Sequence, residues 1–524
     1  MSTLHPSTLF GCLNAVAAEK PDAEAVVFQD ERLTYGALVG EVEQVARALL
    51  AAGVKPGDRV AMLATCRLEF WLVFLATTAI GGIWLGLGTR NQLDELRYVV
   101  NDAEPALLIG ISDFEGRDYR DDLRTLAAET ASVREVVCIG ASGPGAIAWA
   151  AFLQRGESVP ASEVASAAAT VQPLDPAFIV YTSGTTGRPK GAVLSHYGLV
   201  EGNRVQSRRY PADTLPLTGI CSFPINHVAC AGDTCCALMV GGGTIILTER
   251  FDPREQLRIV ERERCSVWGG IPTMVQMTLN LPDFDQFDLS SVKAMGWGGA
   301  AMPREIIERL RLLCPSLGLV YGLTETTVNV TWTQPQTDID VLAGSIGRPP
   351  PEFPCRIADD AGAICGEGEA GEIQFKGDFN MLGYWRRPEA TAAAFTDDGW
   401  LRTGDLGFWR ADGNISLVGR RSEMFKSGGF NVYPREVELA IEEHPEVEYA
   451  AVVSQQDPLY AEVGRAYVML QRGSNLTARE LDTFIRSKIA NYKVPKVFEI
   501  VPELPTLANG KIDKVQLKAR AAAA

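Results

Sequence analysis

The chain has 524 residues, which is too long for a single compact core, so two or more domains are expected. Its composition, 46% hydrophobic and 22% charged residues, is that of an ordinary globular protein with enough apolar side chains for a sizeable core. The net charge of −16 argues against a nucleic-acid-binding surface, which would need a basic stripe.

The eleven cysteines include no Cys-x-x-Cys pair and no Cys/His spacing suited to zinc. We interpret Cys230, Cys235 and Cys236 as small buried hydrophobic residues in a reducing cytoplasm. The N-terminus shows no basic region followed by an apolar one, so no signal peptide is expected. Residues 70–88 are uncharged but interrupted by threonines and glycines, which favours a buried helix and a central strand over a membrane span.

Helical and strand-like segments alternate along the first part of the chain. The pattern predicts helices near 38–49, 67–80 and 95–101, and strands near 59–63, 83–87 and 106–109. Such alternation predicts parallel sheets with helices on both faces. Residues 141–170 are rich in Ala, Ser, Gly and Pro, and we expect a surface connection there.

In the second part of the chain, the residue pattern changes twice. Residues 220–247 are nearly free of charge and are expected in the core, followed by an amphipathic helix over 249–264 and strands at 267–271 and 292–296. A helix beginning at Pro303 is expected to bury Ile306, Ile307, Leu310 and Leu313. From residue 345 onward, short strands and glycine turns predict a β-rich subdomain.

A compact α/β segment follows Arg420. Thr477 and Glu480 form a capping box before a predicted helix over 478–491. We therefore predict an α/β protein with a large N-terminal domain of parallel-type sheets over residues 1–419. A hinge at 420–423 and a small mobile C-terminal domain over 424–524 complete the prediction.

Residues 182–191 read TSGTTGRPKG and follow a short apolar run that predicts a buried strand. Glycines and small hydroxyl side chains allow backbone N–H groups to converge on an anion, and Lys190 adds a positive charge. The spacing differs from the common P-loop, Gly-x-x-x-x-Gly-Lys-Ser/Thr. By itself the segment fits either a polyphosphate site or a flexible surface loop.

The longer string YTSGTTGRPKGAVLSH, from Tyr181 to His196, resembles the phosphate-binding signature of the adenylate-forming superfamily. This superfamily includes acyl-CoA synthetases, peptide-synthetase adenylation domains and beetle luciferases. Further stretches similar to the family's motifs occur in the family's order, at residues 298–300, 321–325, 403–405, 419–438 and 505–511. The resemblance therefore covers nearly the whole chain.

The resemblance implies a site for ATP and Mg²⁺. Its implied nucleotide-binding residues are Thr182, Ser183, Gly184, Thr185, Thr186, Gly187, Lys190, Gly299, Ala300, Tyr321, Gly322, Thr324, Asp405, Arg420 and Lys511. Lys190, Thr324, Glu325 and Lys511 are the implied catalytic residues, and Glu325 and Thr185 the implied metal ligands. These residue types suit the roles, because a tyrosine ring stacks on a base and carboxylate oxygens bind Mg²⁺.

The C-terminal motifs imply a second half-reaction with CoA. Lys426 and the loop Ser427, Gly428 and Gly429 match the face that serves thioester formation. By the same resemblance, Lys511 swings into the active site for adenylation. The hinge position, usually Asp or Lys in the family, is Ser422 here, which leaves the control of domain rotation open.

His227 matches the family's aromatic or histidine position beside the acyl pocket. The next residue, Val228, stands where amino-acid-activating relatives have an Asp that pairs with the substrate's amino group. An uncharged, largely apolar acid, of medium-chain, aryl or alicyclic type, is therefore expected. The predicted pocket also includes Trp297, Gly298 and Val328, with further wall candidates at Ala229, Cys230, Gly232, Trp268 and Asn329.

These features predict an AMP-forming acyl-CoA synthetase. It would activate a carboxylic acid with ATP and transfer the acyl group to CoA, without a nucleic-acid partner or an integral membrane span. Because no Asp-Ser carrier segment follows Lys511, free CoA is the expected acceptor. Two alternatives remain: an adenylating enzyme that loads a carrier protein, and a nucleotide-binding homologue without catalysis. We expect a cytoplasmic location and leave a homodimer open.

Overall fold

The computed structural model describes residues 6–182, 188–210, 214–334, 338–506 and 512–523. Its α-helices are, in chain order, α1 Leu9–Glu19, α2 Tyr35–Ala51, α3 Leu68–Ala79, α4 Leu93–Ala103, α5 Arg120–Glu129, α6 Trp149–Gly156, α7 Ala161–Thr170, α8 His196–Ser207, α9 Cys236–Val240, α10 Pro253–Arg262, α11 Pro272–Leu279, α12 Arg304–Leu313, α13 Ile339–Gly344, α14 Pro388–Ala394, α15 Pro434–Glu442, α16 Ala478–Arg486 and α17 Lys514–Ala523. A π-helix, Ala229–Cys235, runs directly into α9.

The strands are, in chain order, β1 Glu24–Phe28, β2 Glu31–Thr34, β3 Arg59–Ala64, β4 Ile83–Gly88, β5 Leu107–Ile111, β6 Asp113–Phe114, β7 Arg117–Asp118, β8 Glu135–Ile139, β9 Ile147–Ala148, β10 Pro176–Thr182, β11 Lys190–Ser195, β12 Thr218–Cys221, β13 Thr244–Leu247, β14 Val267–Gly270, β15 Ala294–Trp297, β16 Leu317–Gly322, β17 Asn329–Trp332, β18 Cys355–Ala358, β19 Gly371–Phe375, β20 Gly383–Tyr384, β21 Leu401–Trp409, β22 Ile415–Arg420, β23 Phe425–Ser427, β24 Phe430–Val432, β25 Val447–Asp457, β26 Ala461–Leu470 and β27 Val497–Ile500.

The largest sheet has eight strands in the order β20-β11-β10-β4-β3-β5-β8-β9. Strands β10, β4, β3, β5, β8 and β9 pair in parallel, whereas β11 and β20 join antiparallel at one edge. The uncharged stretch forms buried helix α3 and central strand β4, as predicted. Trp84 of β4 packs against Phe74 of α3 and Phe178 of β10, with ring centroids 5.4 and 5.1 Å apart. Within the described residues, no helix has the length and apolar character that a bilayer crossing requires.

Two smaller sheets complete the parallel part of the fold. Their strand orders are β12-β13-β1-β2 and β14-β15-β16-β17, and each has one antiparallel edge strand, β2 and β17 respectively. Helix α10 packs Leu257, Ile259 and Val260 into the core, as its amphipathic pattern predicts. Because β15 and β16 pair in parallel, their carboxyl ends lie side by side.

Some sequence-based expectations are wrong in detail. Residues 141–170 lie mostly at the surface, as expected, but they are not irregular, because they form β9, α6 and α7. A Cβ on Gly156 would lie 2.7 Å from the Ala48 backbone, so α6 contacts α2 closely. The alanines of this stretch favour helix more than its glycines and prolines oppose it.

In α12, Ile307 and Leu310 are buried but Leu313 is 37% exposed. Helix α16 ends at Arg486, earlier than predicted, although its capping box from Thr477 is present.

The β-rich subdomain is an antiparallel sheet in the order β18-β19-β21-β22. The C-terminal part has its own sheet, β24-β23-β26-β25 with β27 beside β26, and its own hydrophobic core. The chain is thus a mixed α/β protein with a large N-terminal and a small C-terminal part, as the sequence predicts.

Candidate functional site

Strands β10 and β11 position the predicted phosphate loop. They pair antiparallel, and Thr182 at the end of β10 lies opposite Lys190 at the start of β11. The predicted loop residues Ser183, Gly184, Thr185, Thr186 and Gly187 lie outside the described residues, so their roles stay predictions. The structure fixes the two ends of the loop at one edge of the large sheet.

Four side chains meet beside those ends. The Tyr384 hydroxyl donates to Glu325 Oε1 at 2.8 Å, and Thr182 Oγ1 lies 3.5 Å from the same oxygen. The Lys190 ammonium lies over the Tyr384 ring, 5.0 Å from its centroid. Burial, reinforced by the Glu325 charge, raises the pKa of Tyr384, so its hydroxyl stays a neutral donor.

Tyr384 is a site residue that the sequence analysis missed. It reaches the site because β20 pairs with β11, with Tyr384 opposite Ala192. The Met381 N–H also donates to the Glu325 carbonyl at 2.8 Å, which fixes the turn that carries the carboxylate. No local pattern in the sequence indicates this long-range strand pairing.

The turn containing Thr324 and Glu325 is a short 3₁₀ helix, Thr324–Thr326, and Thr327 follows it directly. Thr327 is buried and has a φ of 65°, which is a strained conformation for a β-branched residue. Such strain persists only where surrounding contacts hold it, and it is concentrated at functional sites. The strained backbone at Thr327 is therefore consistent with the predicted functional role of Thr324 and Glu325.

Asp405 lies at the centre of a second polar cluster. Its carboxylate is buried, accepts from the Tyr321 hydroxyl at 2.7 Å and pairs with Arg420 Nε at 3.1 Å. Asp405 and Arg420 are opposite each other on β21 and β22, so the sheet register brings them together. Burial and the Asp405 charge raise the pKa of Tyr321. The structure thus joins three residues that the sequence placed in one nucleotide site.

The predicted base-binding backbone lies at the ends of β15 and β16. Gly299 and Ala300 are exposed just beyond β15, and Gly322 is exposed at the end of β16. Gly299 has a φ of 82°, which favours glycine. Ligands of open α/β sheets bind outside the carboxyl ends of such strands, so the placement suits a nucleotide base.

The predicted acyl-pocket residues divide into two groups. His227 and Val228 keep part of their surface accessible, and the Ala229 N–H donates to His227 Nδ1 at 3.2 Å. Trp297 and Val328 are buried in separate hydrophobic clusters. Gly298 follows Trp297, and a Cβ there would lie 2.7 Å from Val320 Cγ2. A ligand could therefore contact His227 and Val228, whereas the side chain of Trp297 is buried.

Asp233 is a second residue that the sequence analysis missed. Gln206 Nε2 donates to its Oδ1 at 2.7 Å and Asn329 Nδ2 to its Oδ2 at 2.9 Å. Burial raises the pKa of Asp233 to about 6, against the opposing effect of these two hydrogen bonds. Asp233 lies on the π-helix that begins just after Val228, and π-helices are frequent at functional sites.

The predicted thioester face is on β23 and the turn after it. Lys426 is exposed and Ser427 is buried. Gly428 and Gly429 have φ values of 57° and 89°, and a Cβ on Gly429 would meet open space. Backbone this open allows a flexible chain to pass close to it.

Lys511, the predicted adenylation lysine, lies outside the described residues. On either side of its segment, Thr506 and Ile512 form an isolated bridge, and the Asp513 N–H donates to the Pro505 carbonyl at 2.8 Å. Lys514 then pairs with Glu423 at 2.6 Å and with Glu438 at 2.8 Å. Burial would lower the pKa of Lys514, but the two carboxylates raise it overall.

Comparisons with known proteins identify the family of the chain. The sequence model described as "AMP-binding enzyme" matches residues 13–385, and that described as "AMP-binding enzyme C-terminal domain" matches residues 436–511. A 3-[(3aS,4S,7aS)-7a-methyl-1,5-dioxo-octahydro-1H-inden-4-yl]propanoyl:CoA ligase of Mycobacterium tuberculosis is 34% identical, with 98% of this chain and 98% of the relative covered.

A feruloyl-CoA synthase of an Amycolatopsis species is also 34% identical, over 96% of this chain and 97% of the relative. Among solved structures, ATP-bound MatB of Rhodopseudomonas palustris superposes with a TM-score of 0.86 at 28% identity, covering 98% of this chain and 99% of that one. The chain therefore belongs to the AMP-binding, adenylate-forming enzyme family and is similar along its whole length to acyl-CoA ligases.

Proposed function

We propose that the chain activates an aryl or alicyclic carboxylic acid with ATP, forming an acyl-adenylate and pyrophosphate, and then transfers the acyl group to CoA. The observation that carries this proposal is the meeting of Thr182, Lys190, Glu325 and Tyr384 at the ends of the phosphate loop. The attack of a carboxylate on ATP brings two anions together, and donors and cations at that point offset the repulsion.

The buried Asp405 cluster supports a ribose site. Its carboxylate is held by Tyr321 and Arg420, so its orientation is fixed. A carboxylate in this state accepts hydrogen bonds from ribose hydroxyls, and the half-exposed Arg420 extends the same surface. Asp405 and Arg420 would therefore orient the nucleotide, while Lys190 and Thr324 would contact its phosphates.

The oxygen-rich turn at Glu325 fits a magnesium ion. Glu325 presents a carboxylate beside the Thr182 hydroxyl, and Mg²⁺ prefers oxygen ligands of this kind. When bound, the ion would neutralise charge on the phosphates. The Tyr384 hydroxyl, which donates to Glu325, orients the carboxylate for this role.

The acid pocket is proposed to run from His227 and Val228 towards Asp233. Val228 offers no charge for an amino group, so an amino acid is disfavoured. Asp233, with Gln206 and Asn329, adds a hydrogen-bonding end to the pocket. We therefore favour a ring acid with a hydroxyl or carbonyl group over a plain medium-chain acid. The two relatives above are named for acids of such oxygenated rings.

A domain boundary near 420–423 is part of the proposal. Arg421 is paired with Asp360 of the large N-terminal part at 2.6 Å, whereas Glu423 is paired with Lys514 of the C-terminal helix at 2.6 Å. Ser422 lies exposed between them. The residues on either side of Ser422 thus pair with opposite parts of the chain, which supports a hinge at this turn. The cytoplasmic location is supported by the cysteines, all eleven of which are free.

A panel of carboxylic acids, incubated with ATP, Mg²⁺ and CoA and read by mass spectrometry of thioesters, tests the proposal. We expect acyl-CoA, AMP and pyrophosphate from hydroxylated or oxo-substituted ring acids, and weaker turnover of unsubstituted medium-chain acids. Acyl-adenylate without any thioester would contradict CoA as the acceptor. Absence of acid-dependent pyrophosphate release across the panel would contradict the catalytic function itself.

A further inference from the structure

Three cysteine thiols that are far apart in the sequence meet in the interior of the N-terminal part. Cys230 Sγ lies 3.6 Å from Cys221 Sγ and 3.7 Å from Cys66 Sγ, and all three sulfurs lie within 4.8 Å of one another. Each residue is almost completely buried. Among the described residues, this is the group of His, Cys, Asp and Glu side chains whose ligand atoms are close enough to share a metal ion.

The π-helix adds a fourth thiol. Cys235 lies five residues after Cys230 on this helix, is equally buried, and is outside the group of three. In an α-helix, residues five apart point about 140° away from each other, since each residue advances about 100°. In a π-helix the hydrogen bonds join residues i and i+5, so such residues stack on one face. The winding of Ala229–Cys235 thus brings Cys230 and Cys235 to the same side.

The donor atoms of this group are all sulfur. The Cys66 thiol donates to the Cys221 carbonyl at 3.3 Å, and metal binding would replace this hydrogen bond because the thiol loses its proton. The sulfur-only donor set selects thiophilic ions and disfavours Mg²⁺ and Ca²⁺, which prefer oxygen.

We propose that Cys66, Cys221 and Cys230 bind a zinc ion, with Cys235 as an available fourth ligand. Zinc–sulfur bonds of about 2.3 Å in a tetrahedral arrangement place sulfurs about 3.8 Å apart, close to the observed separations. Binding releases one proton from each thiol that becomes a ligand, and no oxidation is involved. Three thiolates around Zn²⁺ leave one net negative charge, whereas around a monovalent copper ion they leave two, which costs more in a buried site.

The ion would link three elements that otherwise meet only by packing. Cys66 follows β3, Cys221 ends β12, and Cys230 lies on the π-helix that also carries Asp233. A zinc site here would fix the π-helix against two sheets. It is structural by this reasoning, since all its protein ligands are sulfur.

The test begins with the full chain, purified without chelators or a metal-affinity tag, and its zinc content by plasma mass spectrometry. Cys221→Ala removes a central thiol, and Cys236→Ala is the matched control, because Cys236 is equally buried and next to Cys235 but not in the group. We expect about one zinc per chain in the wild type and in Cys236→Ala, and loss of zinc in Cys221→Ala.

Zinc returned to the chelator-treated protein should raise its unfolding temperature by roughly 2 °C or more, and should do so for Cys236→Ala but not Cys221→Ala. If Cys221→Ala fails to fold, cobalt added to the metal-free wild type should produce thiolate-to-metal charge-transfer absorption. Wild-type protein that retains no zinc, gains no stability from zinc and shows no cobalt absorption would overturn the proposal. A native mass lower by two hydrogens, which indicates a disulfide, would overturn it as well.

Discussion

Removal of the Tyr384 hydroxyl is the most direct perturbation of the proposed adenylation site. Tyr384→Phe deletes the donor that lies 2.8 Å from Glu325 Oε1 and keeps the ring under the Lys190 ammonium. A hydrogen bond to a charged group is worth about 1.5–3 kcal/mol, and each 1.36 kcal/mol corresponds to about a tenfold change in rate. Because Glu325 is only partly buried, we expect the lower end of this range, a loss of about tenfold in kcat/KM for ATP.

The assay is acid-dependent pyrophosphate release, measured over a series of magnesium concentrations. If Tyr384 orients Glu325 for the ion, the magnesium concentration at half-maximal rate should rise in Tyr384→Phe. Thioester formation from supplied acyl-adenylate should change little, since that step does not use the phosphate groups of ATP.

Tyr98→Phe is the matched control. The Tyr98 hydroxyl donates to the Pro189 carbonyl at 2.9 Å, beside the same loop but without contact to Glu325. Its removal should leave the magnesium dependence unchanged. Equal effects of the two variants, or an unchanged Tyr384→Phe enzyme with normal thermal stability, would refute the orienting role of Tyr384.

The other predictions concern Lys511, Lys426 and Asp233. Lys511→Ala should slow adenylate formation by at least roughly a hundredfold and spare thioester formation from supplied acyl-adenylate, so equal losses in both half-reactions would argue against the division of roles. Lys426→Ala should show the opposite bias in the same two assays. The native pKa of Asp233, about 6, lies above the ordinary 3.8, so the folded state binds this proton more tightly and stability falls as pH rises between these values. Between about pH 4 and about pH 7, the titration of Asp233 should lower the free energy of unfolding by up to about 3 kcal/mol. Denaturant unfolding of Asp233→Asn at these two pH values should show a smaller decrease than in the wild type.

Much of the fold could be predicted from local patterns. The helix and strand of residues 70–88, helix α10 and the capping box of Thr477 follow from periodicity and capping chemistry, which depend on neighbouring residues alone. The two helices within the surface segment 141–170 follow from helix propensity, because its alanines favour helix more than its glycines and prolines oppose it. The exposure of Leu313 was not predictable, since it depends on what packs against the end of α12.

The sequence by itself determined the family and predicted the residues of a nucleotide site, because the motifs at residues 181–196, 321–325 and 403–405 are contiguous strings whose chemistry is local. Only the tertiary structure decided that Tyr384 donates to Glu325, that Asp233 meets Gln206 and Asn329, and that Cys66 reaches Cys221 and Cys230. These contacts join residues from separate strands and helices. They depend on strand register and on the π-helix Ala229–Cys235, which no short stretch of sequence encodes.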